Sequence, residues 1–171
     1  RYFVHEYQKE REQYHFHTLI EMVDGGDMDA YLRRPNRTNV IQPAKEIGAQ
    51  ILSGLAYLHN NRIVHRDLKP ENIMFDAEQK NIKLIDLGVS TEYDEKEAEN
   101  AGMAGTYRYM SPEQFDADPN DIDIRSDVYT LGVILYELLR GALPYSVRNT
   151  TIIEAARIVH DQAPSKLSQQ D

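Results

Sequence analysis

Four polar residues lie at the edges of short apolar segments in the stretch 63–88: Asp67, Lys69, Asn72 and Asp86. Polar groups at such positions cost free energy unless they are paired or used in function. Carboxylates can take up protons, and carboxylate and amide oxygens are hard ligands that suit Mg²⁺. Asp and Asn also favour turns, so an isolated Asp here could as well be a turn cap. The rest of the sequence must show whether these four residues take part in chemistry or only cap turns.

The composition is that of an ordinary soluble domain, with 171 residues of which 41% are hydrophobic and 27% are charged. A net charge of -9 disfavours nucleic-acid partners, which bind basic surfaces, and favours cationic partners such as metal ions or basic peptides. The absence of cysteine excludes disulfides and thiolate metal sites. No apolar run approaches the ~18 residues of a membrane span. We therefore expect a soluble, cytoplasmic domain that binds neither nucleic acid nor membrane.

Strand signals are short and rich in aromatic and branched residues. They predict five strands, within 1–10, 15–23, 62–65, 72–75 and 82–86. The polar stretches 8–14 and 76–81 are expected to connect neighbouring strands as hairpins. The Gly pair of "DGGD" at 24–27 ends the first hairpin, after which helical signals dominate.

Helical periodicity predicts four helices, at 28–34, 43–60, 126–140 and 151–162. The second has Pro43 in its first turn, where proline is tolerated, and a buried stripe of Ile47, Ile51, Leu55 and Leu58. The third is apolar nearly all round and should therefore be central. Ser126 or Asp127 is its expected N-cap, and Gly141 follows its end.

Five motifs in order resemble the eukaryotic-type protein kinase family, in which H-R-D, a later Asn, D-F-G and A-P-E mark the catalytic and activation segments. Here they read "HRDLKPEN" at 65–72, "DLG" at 86–88 and "SPE" at 111–113. "LIEMVDGGDM" resembles the linker between the two kinase lobes, and "SDVYTLGVILYELLRGALPY" resembles the central helix. The resemblance covers about residues 2–162. It implies an α+β kinase-like fold, mainly a helical large lobe with a remnant β-hairpin of the small lobe.

The resemblance assigns roles to the four opening residues. Asp67 would accept or orient the proton of the attacking hydroxyl, and Lys69 would neutralise the moving phosphoryl group. Asn72 and Asp86 would hold Mg²⁺ that bridges the phosphates of ATP. Lys69, together with Thr106 near it, resembles serine/threonine kinases rather than tyrosine kinases.

The same resemblance places a nucleotide site around the linker. Glu21 and Val23 would present backbone groups to adenine, with Ile20 behind the ring and Met74 as its floor; Ile20 and Met74 could equally be core residues. Asp27 would meet the ribose hydroxyls or a basic peptide residue. His65 is expected to pack and hydrogen-bond internally rather than to act in catalysis, and Leu87 is expected to pack beneath the small lobe.

The family pattern is incomplete at both ends of the chain. Residues 1–23 resemble the last two strands of the small lobe and the hinge, and 24–171 resemble a large lobe whose C-terminal end is short. Glu113 therefore lacks its expected arginine partner, and a buried unpaired carboxylate is costly. We expect a fragment that is inactive alone and that lacks the small lobe or regulatory segments of its parent.

Three functions remain open from the sequence. The first is a serine/threonine kinase that transfers the γ-phosphate of ATP to Ser or Thr of a protein substrate. The second is a non-catalytic kinase-like binding or scaffold module. The third, a small-molecule phosphotransferase, fits less well because such enzymes lack "LKPEN" and the "GTYRYMSPE" segment.

Overall fold

The computed structural model describes residues 5–10, 13–18, 23–35, 40–76, 80–87, 106–116, 122–147 and 150–167. Its strands are β1 (His5–Glu10), β2 (Gln13–Thr18), β3 (Ile73–Phe75) and β4 (Ile82–Leu84). Its helices are α1 (Met28–Leu32), α2 (Ile41–Asn60), α3 (Pro112–Phe115), α4 (Ile124–Arg140) and α5 (Ile152–Asp161). Short 3₁₀ turns cover Pro70–Asn72 and Thr106–Tyr109. The predicted α+β class is confirmed.

The first hairpin is tighter than the sequence indicates. β1 and β2 pair antiparallel from His5 opposite Thr18 to Glu10 opposite Gln13. The prediction that 8–14 is a connection is therefore wrong, because most of that stretch belongs to the two strands. Backbone pairing extended the ladder through a polar stretch, since ladder hydrogen bonds do not depend on side-chain polarity.

Helix α2 lies at the centre of the main core. Its predicted stripe of Ile47, Ile51, Leu55 and Leu58 is buried. The helix begins at Ile41, two residues before the predicted start, so Pro43 lies in the first turn, where its missing N–H would have no helical partner. Gly48 and Gly54 allow close packing: a Cβ there would lie 2.9 Å from a Leu135 methyl and 3.0 Å from a Leu84 methyl. Thus α2 contacts both α4 and β4 at short range.

The N-cap prediction for α4 is wrong. Asp123 caps the helix by accepting the N–H of Arg125 at 2.8 Å. Ser126 and Asp127 lie inside the first turn and are both only 1% exposed. Gly141 ends the helix with φ 76°, as predicted. The prediction that this helix is buried on nearly all sides is also wrong in part, because Val128 on its outer face is 56% exposed.

The segment 62–65 is not a strand, although 72–75 and 82–86 contain the antiparallel pair β3 and β4. The N–H groups of His65 and Arg66 donate to the Asp127 carboxylate instead of to a neighbouring strand. The antiparallel pairing of β3 and β4 confirms that 76–81 connects them, and 77–79 lie outside the described residues. Asp76 bonds to the far end of this connection by accepting the N–H of Lys80 at 2.9 Å and the Asn81 amide at 2.6 Å.

The "DGGD" segment pairs with the outer end of β3. Gly25 donates its N–H to the Phe75 carbonyl at 3.0 Å, and Phe75 donates back to the Gly26 carbonyl at 2.9 Å. A Cβ at Gly25 would lie 1.9 Å from the Asp76 carbonyl oxygen, which no side chain can tolerate. Glycine at 25 is therefore required by this backbone contact.

Arg62 offers a simple test of local backbone strain. It has φ 61° in the turn after α2, where an L-residue pays about 1–2 kcal/mol relative to glycine. Glycine also loses more entropy on folding, by about 0.4–1 kcal/mol. We expect Arg62→Gly to raise the free energy of unfolding by roughly 0.5–1 kcal/mol, measured as a higher urea midpoint with an unchanged slope. Arg62→Ala keeps the Cβ and should give no comparable gain; equal gains in both variants would contradict the strain.

Candidate active site

Three of the predicted residues form one hydrogen-bonded cluster in the loop between α2 and β3. The Lys69 ammonium lies 2.7 Å from Oδ2 of Asp67, and the Asn72 amide donates to the same oxygen at 3.0 Å. The side chain of Asp67 is 36% exposed and that of Lys69 20%, whereas Asn72 is 4% exposed. The carboxylate is thus held in place by two donors while it stays open to solvent.

Asn72 connects this cluster to Asp86. Its Nδ2 also donates to the Asp67 carbonyl at 2.8 Å, and its own carbonyl accepts the N–H of Ile85 at 3.0 Å. The 3₁₀ turn Pro70–Asn72 sets this geometry by bringing the Asn72 N–H to the Lys69 carbonyl. Asp86 directly follows Ile85, the residue that is bonded to Asn72. It has φ 52° and is exposed.

Asn72 and Asp86 suit a hard cation that also binds phosphate. Both donors of the Asn72 amide group point to Asp67, so the remaining amide oxygen is the atom that can act as a ligand. Within the described ranges, no group of three or more His, Cys, Asp or Glu side chains could hold a metal ion. Mg²⁺ fits such a sparse site because it is usually held by one or two protein oxygens together with substrate phosphates and water.

Asp127 is a site residue that the sequence reasoning missed. Its carboxylate accepts the N–H of His65 at 2.9 Å and the N–H of Arg66 at 3.0 Å, and it lies 2.7 Å from Nε2 of His59. It anchors the loop that carries Asp67 to helix α4. The sequence does show an acidic residue near the start of an apolar helix, but the same pattern is typical of an N-cap.

His65 is fully buried, as predicted, and the Ile85 backbone lies close enough to its ring to raise the pKa, so its internal hydrogen bonding stays a prediction. Among the described residues neither ring nitrogen has a hydrogen-bond partner of good geometry. Burial lowers the pKa of this imidazole, outweighing the Asp127 carboxylate, which raises it. His65 is therefore a neutral packing residue beneath the loop.

Glu113 has a partner that the sequence did not indicate. The Ser126 hydroxyl donates to its carboxylate at 2.5 Å. Burial raises the pKa of Glu113, but the hydrogen bonds from Ser126, the Glu113 backbone and Ser111 outweigh it, so the pKa lies below its usual value. The expectation of an unpaired carboxylate at this position is wrong.

The nucleotide-facing residues are described only in part. Ile20 and Glu21 lie outside the described residues, as does the side chain of Thr106. Val23 is half-buried. Asp27 and Met74 are brought together by an isolated backbone bridge.

Asp27 has a structural use besides the predicted one. Its carboxylate caps α1 by accepting the N–H of Ala30 at 2.7 Å. Leu87 is 37% exposed, so its predicted packing is not confirmed.

The segment 106–116 lies next to the loop that carries Asp67. The Tyr109 hydroxyl donates to the buried Glu137 carboxylate at 2.6 Å, and Thr130 donates to the Tyr109 carbonyl at 2.8 Å. Burial raises the pKa of Tyr109, and Glu137 adds to the effect. These contacts fix 106–116 on α4. Between this segment and the loop that carries Asp67 lies a small, open depression, lined by Arg66, Asp67, Leu68, Tyr109, Met110 and Gln114.

An aspartate held by lysine and asparagine, and a second aspartate that follows a residue bonded to that asparagine, are the residue types that phosphoryl transfer uses. Comparison with known proteins gives the family. The chain belongs to the protein kinase domain family, whose model matches residues 2–170. This confirms the resemblance inferred from the motifs.

The curated relatives are longer proteins. Rhodopsin kinase GRK1 of Rattus norvegicus is 36% identical over 137 residues, which cover 78% of this chain and 24% of the relative. Serine/threonine-protein kinase Sgk1 of Homo sapiens is 38% identical over 132 residues, covering 77% of this chain and 30% of the relative. The chain thus spans about a quarter to a third of the length of these relatives. Among the described residues, no helix has the length and apolar character needed to cross a membrane.

Proposed function

We propose that this chain is the catalytic-loop part of a serine/threonine protein kinase, which transfers the γ-phosphate of ATP to a Ser or Thr hydroxyl. The observation that carries the proposal is the Lys69–Asp67–Asn72 cluster, in which one exposed carboxylate has a cation at 2.7 Å and an amide at 3.0 Å. The names of the relatives, which include a serine/threonine kinase, support the acceptor class.

In the proposed mechanism Asp67 orients the substrate hydroxyl and takes its proton as the hydroxyl oxygen bonds to the γ-phosphorus. The bond from that phosphorus to the ADP oxygen breaks in the same displacement. Lys69 reduces the negative charge on the transferred group, and Asn72 keeps the carboxylate aimed, through two hydrogen bonds to residue 67.

Protein kinases use ATP and Mg²⁺. We propose that Asn72 and Asp86 hold this ion, which neutralises phosphate charge when it is bound. Val23, Asp27 and Met74 are the described residues that we propose for the nucleotide side of the site, and Ile20, Glu21 and Thr106 remain sequence-based proposals.

We propose a basic protein substrate, because it would complement the negative charge of the chain. The net charge is -9, and near the cluster Glu71 is exposed and Asp27 is partly exposed. Acidic side chains around an open site attract cationic peptides, and the attraction weakens as salt screens it.

The direct test is a phosphotransfer assay on the full-length protein, with matched peptides that differ only in a Ser, Thr or Tyr acceptor. We expect Mg²⁺-dependent labelling of the Ser and Thr peptides. Asp86→Ala should raise the Mg²⁺ concentration needed for half-maximal rate and lower the rate by orders of magnitude, whereas Asp161→Ala, at an exposed position at the end of α5, should change neither. A protein that folds and binds peptide but transfers no phosphate would support a binding module instead.

A further inference from the structure

Gln114 uses both ends of its carboxamide, and the two ends have different partners. Its Oε1 accepts the Ser111 N–H at 3.0 Å and the Ser111 hydroxyl at 3.2 Å, which completes a capping box at the start of α3. Its Nε2 donates to the Arg66 carbonyl at 2.6 Å, across a separation of 48 residues. The same side chain therefore joins the 106–116 segment to the catalytic loop.

The partner carbonyl belongs to the residue immediately before Asp67. Arg66 has φ 66°, a conformation that costs an L-residue about 1–2 kcal/mol and must be held by its surroundings. Its N–H is held by Asp127 at 3.0 Å, and its C=O is held by Gln114. The two peptide groups that flank this strained residue are thus fixed from opposite sides, by α4 and by α3.

The cap alone does not require an amide at position 114. A second capping box begins α5, where Glu154 fills the same position and its carboxylate accepts the Thr151 N–H at 2.9 Å. A capping box needs an acceptor at this position, and Glu or Gln supplies it. The cap does not use the Nε2 donor of Gln114. This donor bonds to the Arg66 carbonyl in the loop that carries Asp67.

We propose that Gln114 is a positioning residue for Asp67, acting through the Arg66 carbonyl. The proposal rests on the kinase function proposed above. It makes the orientation of the catalytic carboxylate depend on the order of the 106–116 segment, because release of α3 removes the donor from Arg66. The 106–116 segment and the catalytic carboxylate would then become ordered together.

Gln114→Glu separates the two uses of the side chain. Glutamate keeps the acceptor of the capping box but presents a carboxylate oxygen to the Arg66 carbonyl, where a donor is needed. In the full-length protein we expect kcat to fall about tenfold, with KM for ATP and the thermal midpoint close to their original values. If the glutamate variant does not fold, Gln114→Met, which is uncharged and of similar length, should show the same fall in kcat.

Two controls distinguish this role from simple capping. Glu154→Gln changes the corresponding residue of the α5 box and should leave kcat unchanged. Ser111→Ala removes the hydroxyl partner but keeps the Arg66 contact, so it should lower the thermal midpoint and preserve kcat. An unchanged kcat in a folded Gln114 variant overturns the inference. The unsubstituted full-length protein, assayed in parallel, tests the proposed function itself: if it transfers no phosphate to the Ser and Thr peptides, the function is at fault and not the Gln114 contact.

Discussion

Asp67→Ala is expected to lower kcat by about 10²–10⁴-fold, because it removes the group that we propose as the general base. Lys69 and Asn72 would both lose the carboxylate oxygen that they now contact at 2.7 and 3.0 Å. KM for ATP should change little, since the carboxylate acts on the hydroxyl rather than on the nucleotide. Steady-state phosphotransfer by the full-length protein, with ATP and peptide varied separately, measures both quantities.

The matched control is Asp161→Ala, which removes an exposed carboxylate at the end of α5. It should retain the original kcat. Asp67→Asn keeps the size of the side chain but cannot act as the base, so it should be nearly as slow as the alanine variant. A rate within a few fold of the original in Asp67→Asn would remove Asp67 from the chemistry.

Asp127→Ala is expected to lower the free energy of unfolding by about 3–5 kcal/mol. The residue is 1% exposed, and truncation would leave the N–H groups of His65 and Arg66 and the ring of His59 without their acceptor. Orphaned buried donors cost about 1–3 kcal/mol each. Urea unfolding followed by circular dichroism gives the difference directly.

Asp123→Ala provides the comparison within the same helix. Asp123 is the partly exposed N-cap of α4, so its loss should cost only about 0.5–2 kcal/mol. If the two variants were destabilised equally, the buried carboxylate would not be the anchor of the catalytic loop. Asp127→Asn should fall between them because it keeps the shape and one acceptor oxygen.

Much of the framework followed from periodicity and local chemistry. The stripe on α2 and the end of α4 at Gly141 were predicted because apolar spacing and a left-handed C-cap are local signals. The segment 62–65 was predicted wrongly because Ile63 and Val64 have strand character, while the donors at 65 and 66 bond to a carboxylate more than 60 residues later. A local pattern cannot include a partner that distant.

The residues of the site also fall into two groups, those that a local motif predicts and those that only tertiary contacts reveal. Asp67, Lys69 and Asn72 lie within six positions of one another, so their cluster could be expected from the motif. Asp127, Ser126 and Gln114 contribute through tertiary contacts, and each also fits an ordinary role in helix capping. Nothing in the sequence separates a Gln that only caps from one that also reaches the Arg66 carbonyl.

Among the residues that the structure describes, three non-glycine residues have positive φ, and they call for different treatment in protein engineering. Arg62, with φ 61°, lies in the turn after α2 and belongs to neither the Asp67–Lys69–Asn72 cluster nor its hydrogen bonds, so relieving its strain is a route to a more heat-resistant protein. Arg66 and Asp86, at 66° and 52°, flank the proposed chemistry, and a flexible glycine there would release the backbone that aims it. Of these three positions, glycine should therefore stabilise the protein without loss of activity only at 62. Selection for heat resistance alone, without a screen for activity, would also accept glycine at 66 and 86, where turnover would fall.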